Sequence, residues 1–487
     1  MTTFTPFTAE IESLQSCACP DWFRDAKFGI WSHWGPQAVP RHGDWYARRM
    51  YLQGDDFYDF HLEKYGHPSQ FGYKDIIPLW KAENFDPKGL MEQYVAAGAK
   101  YFVSMGVHHD NFDLWNSKHH RWNAVEMGPQ RDIVGAWKTA AAKFGLPFGV
   151  SEHLGASYNW FAPSHGSDQS GPLAGVPYDG QNPEFADLYH PSGPLSERQH
   201  VYESIMAEKW YSRDAQWAQT WLARVKDLLD NYQPDLLYTD GGVPFGEVGR
   251  EMIAHFFNLS AGRNGGSCQA VYNHKMFGSG DFFPDLSVTD VERGSIPGIQ
   301  EQAWQCDTSI GDWYYSDGFK YKTTAQIIHL LADVVSKNGT MLLNVVQYAD
   351  GSLPPEPQQF LKEMAAWMDI NGEAIHGTRP WNLFGEGPTP MEAGHFKEDF
   401  PFTSQDIRFT TKNDALYAIT LGIPSSQTRI ESLGRRSNSL RKKVTQVHVL
   451  GSAEPLNWTQ EDSALVIQNP HQKPCDHAIV FKLAFGR

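Results

Sequence analysis

Residues 234–242 read PDLLYTDGG, an apolar run that ends in an acidic residue and two glycines. A helix is predicted directly before it, over Tyr211–Tyr232, because five large apolar residues share one helical face. A helix that leads into a short apolar strand is typical of parallel α/β sheets. The stretch therefore predicts a buried strand at Asp235–Asp240 with a carboxylate at its carboxyl end.

Seven other apolar runs have the length of buried strands. In chain order the candidate strands are Phe28–His33, Tyr101–Val107, Pro147–Glu152, Asp235–Asp240, Ala270–Asn273, Ser287–Val291, Gln302–Cys306 and Met341–Val345. Further helices are predicted at Phe85–Lys100, Asp132–Phe144 and Thr323–Ser336. Eight strands that alternate with helices predict an α/β fold, an irregular (β/α)8 TIM-like barrel with little room for helices between strands five and seven. An open doubly wound sheet is the alternative, although no Gly-rich phosphate loop follows the first strand.

The pattern changes after Asn371-Gly372. Short alternating segments are separated there by Gly, Pro, Ser and Asn, which is typical of an antiparallel β-sandwich. They are Asp406–Thr410, Ala415–Leu421, Val444–Leu450, Ala464–Ile467 and Ala478–Leu483. We therefore predict a barrel domain over residues 1–380 and a C-terminal β-sandwich domain over residues 381–487.

A long segment after the third strand, residues 153–210, is rich in Gly, Pro and Ser. Long loops of this kind in compact domains usually form binding loops or lids. Because the segment follows the carboxyl end of a strand, we expect it on the same side of the barrel as the Asp240 carboxylate.

Composition excludes several classes of partner. The chain has 487 residues and a formal net charge of −16, which argues against nucleic acid because phosphate binding needs a basic surface. No run of 18 or more apolar residues occurs, so we expect no membrane span. The first residues lack the pattern of a signal peptide, which leaves open a cytoplasmic protein and one whose signal has been removed. The sequence does not fix the oligomeric state.

Polar residues follow several of the predicted strands, where TIM barrels carry their catalytic groups. They are His33, His108, His109, Glu152, His153, Asp240 and Glu292. Glycoside hydrolysis requires two carboxylates on either side of the scissile bond, and Asp240 and Glu292 are the best pair. A gap of about 5–5.5 Å between such groups indicates retention, and about 6.5–9.5 Å indicates inversion.

A metal or cofactor is not expected. Adjacent His108 and His109 would point to opposite faces of a strand, and no complete ligand set is evident. The Cys17-x-Cys19 pair has no matching second pair, and five cysteines are too few and scattered for a disulfide scaffold. We interpret the histidines as neutral groups that hydrogen-bond sugar hydroxyls.

Seven motifs occur along the chain: WFRDAKFGIWSHWG at 22–35, AKY at 99–101, HHDNFDLWNS at 108–117, DIVG at 132–135, PDLLYTDG at 234–241, NGTMLLNV at 338–345 and NGEAIHGTRPW at 371–381. In this order and spacing they resemble glycoside hydrolase family 29, the α-L-fucosidases. The resemblance covers about residues 20–381. It implies a retaining mechanism with a covalent fucosyl-enzyme on Asp240.

The same resemblance implies the composition of the sugar pocket. His33, Trp45, His108 and His109 would line it, and Trp313 would supply an apolar wall for the methyl group of fucose. The acid/base position varies in the family, so that Glu292 has Glu301 and Glu247 as rivals.

This chain departs from the family pattern at four places. Asp44 stands where a glutamate is usual, Asn111 where a glycine is usual, Glu152-His153 replaces tyrosines, and Lys275 replaces an arginine. The last change loses the bidentate guanidinium fork. We count Asp44, Glu152, His153 and Lys275 among the expected substrate-binding residues.

The sequence therefore predicts a retaining α-L-fucosidase that acts on terminal fucose of oligosaccharides or glycoconjugates. The alternatives are a glycosidase for a related sugar such as α-L-galactose, a catalytically inactive sugar-binding homologue, and a metallohydrolase.

Overall fold

The computed structural model describes residues 5–191, 210–276, 278–439 and 442–486. Residues 192–209, at the end of the predicted binding loop, lie outside the described residues. Eight parallel strands form a closed barrel in which each strand pairs with the next and the eighth pairs with the first. The strands are β1 (Phe28–Ser32), β2 (Phe102–Val107), β3 (Phe148–Glu152), β4 (Leu236–Thr239), β5 (Val271–Lys275), β6 (Val288–Asp290), β7 (Trp304–Ser309) and β8 (Gly339–Asn344). The predicted barrel is confirmed, and the open sheet is excluded.

Helices surround the barrel where the sequence predicts them. The α-helices are α1 (Ile11–Gln15), α2 (Asp21–Ala26), α3 (Tyr46–Arg49), α4 (Asp56–Lys64), α5 (Tyr73–Ile76), α6 (Pro87–Ala96), α7 (Ile133–Lys143), α8 (Ser157–Trp160), α9 (Ala186–Tyr189), α10 (Ala215–Tyr232), α11 (Glu247–Arg263), α12 (Thr324–Ser336) and α13 (Pro355–Asn371). Short 3₁₀ turns lie at Pro36–Ala38, Ile77–Leu79, Leu154–Ala156, Ala162–His165, Asp179–Gln181, Pro183–Phe185, Gly372–Ala374 and Glu431–Leu433. Among the described residues no helix lies between β5 and β6 or between β6 and β7, so the irregularity is where it was expected.

Side chains at the helix starts explain these boundaries. Asp86, Asp132 and Asp214 each accept a hydrogen bond from a backbone N–H in the first turn of α6, α7 and α10. Such N-caps satisfy donors that have no partner inside the helix. At α12, Thr323 and Gln326 form a reciprocal capping box.

The N-terminal segment is tied to the segment between α11 and β5 by a disulfide between Cys17 and Cys268. The two cysteines lie 251 residues apart in the chain, and the sequence contains no local signal for this pairing. Cys19, Cys306 and Cys475 remain free thiols.

The C-terminal region contains two antiparallel sheets. Their strands are β9 (Arg379–Glu386), β10 (Ile407–Lys412), β11 (Ala415–Thr420), β12 (Gln427–Ile430), β13 (Val444–Val449), β14 (Trp458–Gln460), β15 (Leu465–Gln468) and β16 (Val480–Phe485). One sheet has the order β13-β16-β11-β10-β9 and the other β12-β15-β14. Their apolar side chains form a second core that is separate from the barrel core. The predicted sandwich is therefore present, with β9, β12 and β14 added to the predicted strands.

Buried polar contacts join this region to the barrel. Arg408 on β10 contacts Asp333 on α12 at 2.6 Å, and the Trp367 indole of α13 donates to the Ala478 carbonyl at 3.0 Å. Among the helices that the structure describes, none has the length and apolar character to cross a membrane.

Candidate active site

One cavity opens at the carboxyl ends of the barrel strands and gathers most of the predicted site. The predicted residues that line it are His33, Asp44, Trp45, His108, His109, His153, Asp240, Lys275, Glu292 and Trp313. The other described lining residues are Trp31, Trp210, Tyr238, Gly241, Gly278, Asp307 and Phe396. The cavity thus combines titratable groups with a wall of aromatic rings, as expected of a sugar pocket.

Lys275, the last residue of β5, connects the acidic groups of the cavity. Its Nζ lies 2.9 Å from Asp240 Oδ1, 2.7 Å from Glu292 Oε2 and 3.4 Å from Asp307 Oδ2. Burial alone would lower the pKa of this ammonium, but the surrounding carboxylates, Asp240 foremost, raise it well above its usual value. Lys275 is therefore a fixed positive charge between the two predicted catalytic carboxylates.

Asp240, directly after β4, is held as an anion. Burial opposes ionisation, but Lys275 and His153 hold the pKa of Asp240 well below its usual range. His109 Nε2 and His153 Nδ1 each lie 3.2 Å from Asp240 Oδ2. Gly241 follows with a φ of 123°, and a Cβ there would lie 2.7 Å from the Tyr211 hydroxyl, so that glycine is required beside the carboxylate.

Glu292, two residues after β6, has the opposite electrostatic setting. Burial raises its pKa to about 7, although Lys275 partly offsets this effect. Its Oε1 accepts a hydrogen bond from the Trp313 indole at 3.2 Å. Trp313 therefore positions this carboxyl group in addition to forming part of the wall. A carboxyl group with such a pKa exchanges a proton near neutral pH.

The opposite side of the cavity is lined by imidazoles. The ring centres of His33 and His153 each lie 4.9 Å from that of His108. Burial first, and neighbouring histidines next, hold the pKa of His33 and His108 well below the usual value. Burial also lowers the pKa of His153, to about 4. These rings are neutral at neutral pH and can exchange hydrogen bonds with hydroxyls.

Asp44 and Trp45 close this side from the loop after β1. Burial and the nearby Asp312 raise the pKa of Asp44 well above its usual value, so that it can donate a hydrogen bond. Trp45 adopts a left-handed backbone with a φ of 64° and packs edge-on against Trp160 and Trp210. Both residues lie where the sequence analysis expects them.

Among the described residues, two groups of three side chains could hold a metal ion. The donor atoms of His33, His108 and His153 lie within 4.8 Å of one another, as do those of His109, His153 and Asp240. The sequence argument that His108 and His109 point to opposite faces is wrong, because both follow the end of β2 and escape strand alternation. Imidazole ligands suit zinc and copper ions.

Glu152 does not line the cavity, which corrects its expected role in substrate binding. It is the last residue of β3, and strand alternation turns its side chain away from the cavity that His153 reaches. Its Oε2 accepts hydrogen bonds from the Leu154 N–H at 3.0 Å and the Trp221 indole at 3.1 Å. The rival acids Glu247 and Glu301 are exposed and also lie outside the lining.

Some of the lining residues that sequence reasoning missed carried a usable signal. Trp31 and Tyr238 each precede a predicted site residue by two positions on a strand, and such residues share a face. Asp307 was missed because β7 extends past its predicted end at Cys306. Phe396 lies in the segment between β9 and β10, for which the sequence contains no such pattern.

Known proteins are similar to both regions of the chain. A family model described as alpha-L-fucosidase matches residues 2–373, and a model of the alpha-L-fucosidase C-terminal domain matches residues 401–484. The plasma alpha-L-fucosidase of Homo sapiens is 28% identical over 496 residues, covering 97% of this chain and 91% of that protein. An alpha-L-fucosidase of Branchiostoma floridae is also 28% identical, with 97% and 94% covered.

Solved structures show the same architecture. The alpha-fucosidase of Thermotoga maritima in complex with fucose superposes with a TM-score of 0.74 at 25% sequence identity, covering 98% of this chain and 99% of that chain. The same enzyme with a mechanism-based inhibitor gives a TM-score of 0.75 at 25% identity, with 98% and 100% covered.

Proposed function

Because the chain belongs to the α-L-fucosidase family and hydrolyses α-L-fucosides, we propose that it acts with retention of configuration at the anomeric carbon. In this proposal Asp240 is the nucleophile and Glu292 is the general acid and base. The substrate is a terminal fucose of an oligosaccharide or glycoconjugate.

The observation that carries the proposal is the short gap between the two carboxylates. Asp240 Oδ1 and Glu292 Oε2 both contact Lys275 Nζ, at 2.9 and 2.7 Å, so these oxygens lie at most about 5.6 Å apart. Retaining glycosidases hold their carboxyl groups about 5–5.5 Å apart, whereas inverting enzymes need about 6.5–9.5 Å for a water molecule. The geometry supports direct attack by a carboxylate.

The protonation states suit the first step. Asp240 is ionised, and Glu292 carries a proton below its pKa of about 7. An Asp240 oxygen attacks the anomeric carbon and forms the ester bond, while the bond to the leaving-group oxygen breaks. The Glu292 proton passes to that oxygen, so the aglycone leaves as a neutral alcohol.

The second step reverses these roles. Glu292, now a carboxylate, takes a proton from water as the water oxygen attacks the anomeric carbon. The ester bond breaks and Asp240 becomes an anion again. Lys275 contacts both groups, so one ammonium neutralises Asp240 before the first step and Glu292 in the intermediate.

We propose that the histidine side of the cavity reads the sugar hydroxyls. His33 Nδ1 and His153 Nε2 are buried and have no hydrogen-bond partner among the described residues. A hydroxyl group of the bound sugar would satisfy each of them, which favours a neutral polar ligand. The rings of Trp31 and Trp313, 5.4 Å apart, form an apolar wall suited to the methyl group of fucose.

The test is release of 4-nitrophenol from 4-nitrophenyl α-L-fucoside by the wild type and by Asp240→Gly. We expect the variant to lose about 10⁴-fold or more in kcat. Added azide should restore turnover and yield β-fucosyl azide, because azide replaces the missing nucleophile from the opposite face. NMR of the wild-type reaction should show α-L-fucose as the first product.

A matched control lies at the other end of the same strand. Asp235, directly before β4, accepts from the Phe148 N–H at 3.0 Å and pairs with Arg263 at 2.7 Å. Asp235→Asn should lower stability and leave kcat/KM unchanged, since residues at this end of a barrel lie away from the catalytic face and serve stability. A first product in the β configuration would contradict the retaining proposal.

The same assay separates the alternatives. Faster turnover of the α-L-galactoside than of the α-L-fucoside would indicate a different sugar. Binding without turnover of either would indicate an inactive sugar-binding protein. Loss of activity with a chelator, restored by zinc, would indicate a metal-dependent reaction at the histidine groups.

A further inference from the structure

The segment between β9 and β10 reaches the cavity and forms hydrogen bonds with both the backbone N–H and the backbone carbonyl of Glu292. The Phe396 N–H donates to the Glu292 carbonyl at 2.9 Å. The Glu292 N–H donates to His395 Nδ1 at 3.1 Å. A segment that follows the predicted domain boundary near residue 380 is therefore hydrogen-bonded to the loop after β6, which carries the proposed acid.

This segment is anchored on both sides of Phe396. On one side the Gly394 N–H donates to the Ser295 carbonyl at 2.8 Å. On the other side Glu398 accepts from the Thr308 hydroxyl at 2.6 Å and pairs with Lys322 at 2.8 Å. The position of Phe396 is thus fixed by the barrel itself.

The Phe396 side chain departs from two norms. The residue is 52% exposed although it lines the cavity, and its backbone has a φ of 58°, a left-handed conformation that a bulky residue rarely adopts. Such conformations persist where the surrounding contacts impose them, and they cluster at ligand sites. The result is a partly exposed aromatic residue at the cavity wall.

The chemistry of the proposed reaction indicates what this face contacts. Glu292 must reach the oxygen that joins fucose to the leaving group, so the leaving group lies on the Glu292 side of the cavity. The Phe396 backbone is hydrogen-bonded to the Glu292 backbone on that side. We propose that Phe396 is a platform for the leaving group, on which the ring of the departing sugar stacks, and that it sets aglycone preference. This inference rests on Glu292 as the proposed acid.

Three substrates separate this role from its alternatives. α-L-Fucosyl fluoride has no leaving-group ring and needs no acid. 2-Chloro-4-nitrophenyl α-L-fucoside has a ring but needs little acid assistance. A fucosyl disaccharide has a ring and needs the acid. For Phe396→Ala we expect kcat/KM to fall about threefold to tenfold for both ring-bearing substrates and to stay unchanged for the fluoride.

Two further variants complete the test. Phe396→Tyr keeps the aromatic face and should restore wild-type kcat/KM on the disaccharide. Phe319→Ala is the matched control, because Phe319 is 40% exposed and does not line the cavity. It should leave kcat/KM unchanged for all three substrates.

Other outcomes overturn the proposal in distinguishable ways. Loss on the disaccharide alone would mean that Phe396 only positions Glu292. Equal loss on all three substrates would mean a structural role, and no loss on any would remove Phe396 from the site. Failure of the wild type to hydrolyse even the fluoride would instead count against the proposed function.

Discussion

The two sides of the cavity use opposite electrostatic solutions to burial. On the side of β1 to β3, burial keeps His33, His108 and His153 neutral. On the side of β4 to β7, Asp240 and Lys275 are both charged, with side chains that are only 17% and 3% exposed. The difference indicates a division of labour, with neutral donors and acceptors for recognition and coupled charges for reaction.

The charged groups on the side of β4 to β7 stabilise one another, so each depends on the presence of the others. A buried charge is costly unless an opposite charge compensates it, and removing one partner leaves the other exposed to the full penalty. Lys275 has three carboxylates around it, so it ties the states of Asp240 and Glu292 together. Variants on this side should therefore change the reaction rate and its pH dependence, whereas a variant of His33 should change mainly substrate binding.

The largest effect in this comparison is expected for Glu292→Gln. The variant cannot donate a proton, so kcat/KM for a fucosyl disaccharide should fall about 10²- to 10⁴-fold. The kcat/KM for α-L-fucosyl fluoride should be nearly unchanged, because the first step with this substrate needs no acid. The wild-type profile of kcat/KM should decline as pH rises through about 7, because Glu292 loses its proton there, and the variant should lack this limb. Equal losses for both substrates would contradict the acid role.

A smaller effect is expected for Lys275→Met. Without the ammonium the pKa of Glu292 is no longer held down, so the alkaline limb of kcat/KM should move above about 7. The activity at the optimum should fall about 10²-fold, since Asp240 loses its main counter-charge but keeps His109 and His153. Lys275→Arg is the control, and it should keep the limb in place. A limb that moves to lower pH would contradict this account.

On the histidine side the expected effect is smaller and of a different kind. His33→Phe keeps a ring in contact with Trp313 but removes the unpartnered Nδ1. One hydrogen bond to a sugar hydroxyl should be lost, which raises KM about threefold to tenfold with little change in kcat or in the pH profile. A loss confined to kcat would mean that His33 takes part in the reaction, which would contradict the division between a recognition side and a reactive side.

The sequence predicts the charged side better than its surroundings. PDLLYTDGG indicates a buried strand and the carboxylate at its end, because an apolar run followed by Asp and Gly is a local pattern. The contacts of Lys275 with Glu292 and Asp307 depend on closure of the barrel over residues 275–307, which no local pattern encodes. The disulfide at Cys268 and the position of Phe396 likewise join segments far apart in the chain.

Glu152 shows where sequence reasoning fails for a single residue. It is the last residue of a strand and precedes His153, as a site residue could. Successive side chains of a strand point to opposite faces, however, so Glu152 points into the packed layer behind the cavity. There it is 1% exposed and contacts Leu154 and Trp221. Neither sequence position nor residue type distinguishes these two settings.

Glu152→Gln tests that correction and should give the smallest effect on activity, within about twofold in kcat/KM, because a glutamine oxygen can accept the same two hydrogen bonds. Stability should respond instead. Burial raises the pKa of Glu152 to about 7 from a usual 4.5, so the wild type loses stability as pH rises between these values, up to about 3 kcal/mol. The variant, which carries no charge, should lose less between pH 5 and pH 8 in denaturant unfolding. Glu301→Gln, at an exposed site, should follow the wild type. A kcat/KM loss as large as that of His33→Phe would indicate that Glu152 contributes to substrate binding and would contradict its placement in the packed layer outside the cavity.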